Sequence, residues 1–278
     1  MRFTVCGGDL RSVYLVQRLR KDGHTVQCFD LEMGDIPPSC HTASLHTAVS
    51  TTQCIILPTP VFKGGMLNAP LGSCVVTPEE LAQTLPPHTS VFGGSIPEEF
   101  LQLCSRRGVY PLALLSVESL AVKNAALTAE CAVQVILREI PYTLERCPIL
   151  ILGAGRIGRL LGLKLRALGA SVTVAARGDA DRAWGAALGL NPADFADLAP
   201  LLPQVRLLIN TIPAQVLSQT QLSLLPQDAL LFELASKPGG FPSTDLHTVI
   251  SCGGLPGTYT PQSAADVIAE TIYQNLKR

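Results

Sequence analysis

The run Gly153-Ala154-Gly155-Arg156-Ile157-Gly158 has the glycine spacing of a dinucleotide-binding turn. It follows the apolar stretch Pro148–Leu152 and opens a helical pattern, the context such a turn requires. Gly153 would permit the tight turn, Gly155 would let the backbone approach a pyrophosphate, and Gly158 would let the helix pack closely on the strand. The free N–H groups of the helix's first turn, at the positive end of its dipole, would then face phosphates. The next strand, Ser171–Ala176, ends at Arg177. NAD-specific sites usually carry an acid here to hold the ribose hydroxyls, whereas a guanidinium suits the 2′-phosphate of NADP. Arg182 stands close by in sequence as a second cation. The alternative leaves Arg177 in solvent and gives the ribose to Asp179. The expected coenzyme is therefore NADP, with NAD as the alternative.

Other polar residues fall where later strands end, the edge at which open α/β sheets bind ligands. Thr211-Ile212-Pro213 and Ala235-Ser236-Lys237 are expected to border the nicotinamide ring. In the N-terminal half, Asp9, Arg11, Thr59, Lys63 and Ser95 lie at strand ends, and Arg and Lys there would hold carboxylates. The segment Asn124–Glu130 leads into a helix expected to begin at Thr128, which would place Glu130 in a first turn favoured by the helix dipole. None of the five histidines lies in these loops, so neither a histidine acid/base pair nor a Ser-His-Asp arrangement is indicated. The nine cysteines include no C-x-x-C and no zinc spacing with histidine, so no metal site is expected. Most lie in apolar segments and read as reduced, buried thiols.

The elements that must position these residues alternate strand and helix along the chain. Phe3–Cys6, His24–Phe29, Gln53–Leu57 and Ser90–Gly93 read as strands, and Leu10–Lys21, with Val13, Val16 and Leu19 on one face, reads as a helix. Further helices are expected at Pro78–Leu85, Pro97–Ser105, Thr128–Glu139, about Asp181–Leu188, and Pro261–Leu276. Strands are expected at Val205–Asn210, Ala229–Leu234 and His247–Cys252, with Gly253–Gly257 as a turn. The fold class is α/β: two parallel-sheet domains, Rossmann-like or flavodoxin-like, with a cleft between them as the default substrate site. The boundaries expected are 1–127 for a substrate domain, 128–145 for a bridging helix and linker, and 146–260 for the nucleotide domain. The C-terminal helix 261–278 would pack back on the first domain.

Of 278 residues, 47% are hydrophobic and 15% charged, and the net charge is −1. Such a chain can bury two cores and has no basic surplus for nucleic acid. Its low charge is compatible with a homo-oligomer. No apolar run of bilayer length is read from it, and Met1–Asp9 reads as a first strand running into a glycine turn, so a cytoplasmic location is expected.

Together these segments resemble the A subunit of dipicolinate synthase from spore-forming bacteria. The matching stretches are Gly7-Gly8-Asp9 with Arg11, Asn124 with Thr128-Ala129-Glu130, Gly153–Gly158, Val174–Arg177, Asn210–Pro213, Leu234–Gly240, and Gly254-Leu255-Pro256-Gly257 with Pro261. Cys131 and Gly178 depart from the pattern. The resemblance implies oxidation of dihydrodipicolinate or 4-hydroxy-tetrahydrodipicolinate to dipicolinate during sporulation, with NADP as hydride acceptor. It also implies that the partner is the flavoprotein-like B subunit of that enzyme, and that the location is the sporulating mother cell. Glu130, Lys237 and Asn124 become candidate catalytic residues, with Glu130 as proton acceptor. Arg11, Thr59, Lys63 and Ser95 become contacts for a small dicarboxylate. Another two-domain dehydrogenase, of the 2-hydroxy-acid type, or a non-catalytic NADP sensor are the alternatives.

Overall fold

Apolar runs bounded by glycine turns form the strands, and the segments between them close into helices. A computed structural model describes residues 1–276; Lys277 and Arg278 lie outside the described residues. The chain divides into two units, one comprising Met1–Asn124 and the residues from Pro256 onward, the other Ala125–Leu255.

The first unit runs β1 (Arg2–Cys6), α1 (Leu10–Lys21), β2 (Thr25–Phe29), α2 (Leu45–Ser50), β3 (Cys54–Ile56), the hairpin β4 (Phe62–Lys63) and β5 (Met66–Leu67), α3 (Pro78–Thr84), β6 (Ser90–Gly93), α4 (Glu98–Ser105), β7 (Leu112–Ala113) and the start of α5 (Glu118–Glu139). Its parallel sheet has the order β2-β1-β3-β6-β7, the 2-1-3-4-5 order of flavodoxin-like folds. Phe3, Val5, Val13, Val16 and Leu19 fill one face of the sheet, and Ile55, Leu57, Leu81 and Phe100 the other. The final helix closes the first of these cores.

The second unit continues with β8 (Pro148–Leu152), α6 (Arg156–Ala167), β9 (Ser171–Ala176), α7 (Asp179–Ala187), β10 (Asn191–Asp194), β11 (Leu207–Asn210), α8 (Gln219–Leu222), β12 (Leu230–Glu233) and β13 (Val249–Ser251). The order β10-β9-β8-β11-β12-β13 is the 3-2-1-4-5-6 order of a dinucleotide-binding sheet. Leu150, Leu152, Leu208 and Leu231 are fully buried in it. The chain then forms α9 (Leu255–Tyr259) and α10 (Pro261–Leu276). α10 buries Ala265, Ala269 and Ile272 against α1, with Arg18 Nη1 2.7 Å from Asp266 and the Tyr273 hydroxyl donating to Asp22 at 2.8 Å. Burial alone would raise the Asp22 carboxyl, but the hydrogen bonds from Tyr273 and Arg18 hold it below the usual carboxylate range.

Several features differ from the sequence expectation, among them the short helices α2 and α8, which it does not include. α5 begins at Glu118, ten residues before Thr128. An acid in the first turn favours that start, and Thr128 lies buried inside the helix rather than capping it. α5 is long and apolar enough, by length and composition alone, to cross a membrane. It buries Ala125, Thr128, Ala129, Ala132, Val135 and Ile136 at the three-to-four-residue spacing of a core helix. The expected turn at Gly253–Gly257 becomes α9 from Leu255, since Pro256 sits in its first turn where no N–H is missed. β10 is an additional strand: it contains Pro192, which hides it in the sequence pattern but which a strand at the sheet edge tolerates. The hairpin Lys63-Gly64-Gly65-Met66 is likewise additional; Gly64 and Gly65 take φ of +62° and +80°, as a two-residue turn with both centres left-handed requires.

None of the nine cysteines is in a disulfide, and all but Cys74 are buried. Burial pushes Cys6, Cys28 and Cys54 up to about 12, and Cys104 and Cys252 up to about 11.

Candidate functional site

In the second unit the glycine turn joins β8 to α6 with the geometry its spacing implies. Gly153 has φ +102°, and a Cβ there would stand 2.6 Å from Thr211 Oγ1. At Gly158 a Cβ would stand 1.9 Å from the Gly153 carbonyl oxygen, so helix and turn touch backbone to backbone. Gly155 is different: an added Cβ meets nothing within 4 Å. α6 starts at Arg156 after Gly155, which supplies no side-chain cap, so no N-cap side chain meets the positive end of the helix dipole. Ala154 is buried, Ile157 half-buried and Arg156 exposed. A tight turn, a close helix and open space over Gly155 fit a pyrophosphate.

Beyond this turn lies a cluster built from the ends of β9 and β10 and the start of α7. Arg177 is exposed, with its guanidinium 5.8 Å from the Phe195 ring centre and no ion-pair partner among the described residues. Arg182 is not a second free cation. Its Nη1 donates to the carbonyls of Ala176 and Arg177 at 3.0 and 2.8 Å and to Asp194 at 2.5 Å, while Nη2 donates to Asp179. Asp179 is correspondingly paired rather than free. Arg159 pairs with Asp181 at 2.6 Å and lies over Trp184.

The loops after β11 and β12 are tied together by a pair to which the sequence pattern assigns no role. Asn210, fully buried, donates to Glu233 Oε1 at 2.6 Å and to the Ile212 carbonyl at 2.8 Å, and accepts from the Ile212 N–H. Glu233 also accepts from the N–H groups of Ala235 at 3.0 Å and Gly240 at 2.7 Å. A Cβ on Gly240 would sit 2.3 Å from Asn210 Nδ2. Thr211 Oγ1 donates to the Leu152 carbonyl at 2.9 Å. Thr211, Ile212 and Ala235 are therefore held by strand-end hydrogen bonds, the Ser236 carbonyl accepts from the Gly239 N–H at 3.1 Å, and Pro213 is exposed beside them. A single polar residue closing each of two apolar strands is the signal that marks the pair. Lys237 is exposed and, with Glu233, Ser243, Thr244 and Ser251, lines a cavity of about 380 Å³.

Glu130 lies in the middle of α5, so the expected first-turn dipole effect does not operate on it. Its exposed carboxylate is 3.4 Å from Lys164 Nζ. Asn124 stands earlier in α5, half-buried.

In the first unit the structure brings Arg11, Thr59 and Ser95 together. Arg11 grips Asp9 through Nε and Nη2, at 2.9 and 2.8 Å, and Nη2 also donates to the Thr59 carbonyl at 2.5 Å. Gly94 packs on Thr59, where a Cβ would clash at 1.9 Å, and the Ser95 carbonyl accepts from the Val61 N–H. Arg11 is thus charge-paired, not the free cation expected for a substrate carboxylate. Lys63 sits on the exposed β4–β5 hairpin, not at a strand end of the main sheet.

The fold and the glycine cradle define a protein of two-domain, Rossmann-type architecture. The transhydrogenase of Sinorhizobium meliloti shares it, with a TM-score of 0.71 at 17% identity over 99% of this chain and 93% of its own. Residues 2–115 match the family described as the N-terminal domain of the dipicolinate synthase A subunit. The corresponding A subunit of Bacillus subtilis (strain 168) is 26% identical over 298 residues, spanning 99% of this chain and 96% of the relative. A crystal structure of the dipicolinate synthase A subunit from Bacillus halodurans superposes with a TM-score of 0.86 at 26% identity, over 100% of this chain and 98% of that one. The chain is a relative of the dipicolinate synthase A subunit along its whole length.

Proposed function

We propose that the chain is the dehydrogenase subunit of a dipicolinate synthase, oxidising dihydrodipicolinate or 4-hydroxy-tetrahydrodipicolinate with NADP as hydride acceptor. The observation that carries this reading is the open cradle at Gly155 beside the uncapped start of α6, in a chain that resembles the dipicolinate synthase A subunit from end to end. Backbone N–H groups of Gly155–Gly158 would hold the pyrophosphate, and Arg177 the 2′-phosphate. The loops 211–213 and 235–240, fixed by Asn210 and Glu233, would flank the nicotinamide. When bound, that coenzyme supplies the hydride acceptor.

The chain's own task is to hold a dicarboxylate and take up a proton; from 4-hydroxy-tetrahydrodipicolinate a water must leave as well, carrying off the ring hydroxyl. Aromatisation makes the oxidation favourable, so alignment counts for more than strong acid/base chemistry. In the second unit Lys237 would hold a carboxylate; in the first unit Lys63, Arg11, Thr59 and Ser95 are the residues proposed to meet a dicarboxylate. Glu130 would accept a proton, and Asn124 would orient the ring. The flavoprotein-like B subunit of the same enzyme is the proposed partner, and the mother-cell cytoplasm the proposed place.

Thermal shift with NADP+ and NAD+ tests the coenzyme. A ligand at about 100 times its dissociation constant adds roughly 2.7 kcal/mol of stability. The expected result is a larger shift with NADP+ that Arg177→Ala abolishes. Formation of pyridine-2,6-dicarboxylate from either substrate, with the flavoprotein-like partner supplied, tests the reaction; no product at saturating NADP+ removes it.

A further inference from the structure

Arg177 is the residue that faces solvent at the end of β9, but its neighbours decide what it can recognise. Two carboxylates lie in the same cluster, Asp179 opening α7 and Asp194 closing β10. A carboxylate at this end of the sheet favours NAD, because it accepts from the ribose hydroxyls and repels a 2′-phosphate. Left free, Asp179 and Asp194 would oppose Arg177.

They are not left free. Arg182, with its side chain only 23% exposed, donates to both. The same guanidinium holds the carbonyls of Ala176 and Arg177, so it fixes the backbone from which the Arg177 side chain leaves. Asp194 is oriented further by the Ala196 N–H, which donates to Oδ1 at 3.0 Å. Phe195, next in sequence, lies against the Arg177 guanidinium. The end of β10 therefore serves both arginines, one through a carboxylate and one through a ring.

We propose that Arg182 determines the coenzyme preference of this site without touching the coenzyme: it withdraws Asp179 and Asp194 from the ribose and leaves Arg177 as the cation presented to a 2′-phosphate. This rests on the nicotinamide-coenzyme reading above. Arg182 is a positioning residue, and its effect must appear in the ratio of two affinities, not in either alone.

The test is calorimetric titration of the full chain with NADP+ and with NAD+, for the wild type, Arg182→Gln and Asp179→Asn. In Arg182→Gln the NADP+/NAD+ affinity ratio should fall roughly tenfold, through weaker NADP+ binding with NAD+ binding held or improved. Asp179 is 96% exposed, so Asp179→Asn should fold normally. It removes one carboxylate and should raise the ratio about two- to threefold, a modest effect in keeping with its exposure. If Arg182→Gln weakens both nucleotides equally, Arg182 only supports the fold and the proposal is overturned. If Arg182→Gln does not fold, Asp179→Asn decides, and an unchanged ratio there overturns it. A wild type that binds neither nucleotide sinks the coenzyme reading itself, an outcome these variants cannot produce.

Discussion

The chain carries two glycine turns at the same place in two parallel sheets, and they have opposite fates. After β1, the turn Gly7-Gly8-Asp9 is filled by the chain itself. Asn68 O accepts the Gly8 N–H at 2.8 Å, and a Cβ on Gly7 would meet Ala69 at 3.1 Å. Asp30, at the end of β2, is fully buried and accepts from the N–H groups of Ser73 and Cys74 at 2.7 and 2.8 Å. Asp9 caps α1. Phosphate-like and ribose-like positions are thus occupied by segment 68–74. After β8, nothing comparable covers Gly155, and α6 has no cap. One topology has given a sealed turn and an open one, and the difference is whether a later segment of the chain folds over the glycines.

Substitutions can break this comparison at several strengths. The largest effect is expected from Gly158→Ala, whose Cβ would stand 1.9 Å from a backbone oxygen. Forcing α6 off the sheet should cost about 3 kcal/mol and abolish nucleotide binding, read as a lower apo Tm and a lost coenzyme shift. Next is Asp30→Ala in the sealed turn. It removes the buried acceptor of the Ser73 and Cys74 N–H groups and should cost about 1 kcal/mol in urea unfolding. Nucleotide binding by the folded protein should survive it, since the open turn is untouched. A loss of binding there would mean that the two turns are not independent.

Gly155→Ala separates ligand from fold. Its φ of −74° suits alanine, so apo stability should hold or rise by about 0.5 kcal/mol while coenzyme affinity drops. Retained affinity would show that no phosphate approaches this backbone.

The smallest effect concerns Asp22, whose carboxyl is depressed by its hydrogen bonds with Tyr273 and Arg18. A depressed acid stabilises above its unfolded value and loses that contribution as pH falls through the folded one. The docking of α10 should therefore weaken in acid, below the ordinary carboxylate range. Asp22→Asn should flatten that limb of the stability-against-pH curve and cost less than about 1 kcal/mol at neutral pH.

Much of this is legible in the chain. β6, β8, β9 and α10 lie where apolar runs and breakers put them. The cradle Gly153–Gly158 is legible because three glycines and a following helix leave few other geometries. The sealing of the other turn is not, since Asp30 and Ser73 meet only through tertiary folding and lie 43 residues apart. The state of Arg182 is hidden for the same reason. Sequence places a cation near Arg177 but cannot say that Asp194, on a strand masked by Pro192, has already claimed it.

The cysteines carry a consequence of their own. Eight thiols are shielded and Cys74 alone is open, on the segment that seals the first turn. Five of the shielded ones, Cys6, Cys28, Cys40, Cys54 and Cys104, belong to the first unit, and Cys131, Cys147 and Cys252 to the second. Pulse alkylation followed by peptide mass analysis would thus time the breathing of each unit separately. Coenzyme should slow labelling of the second set and leave the first at its own pace.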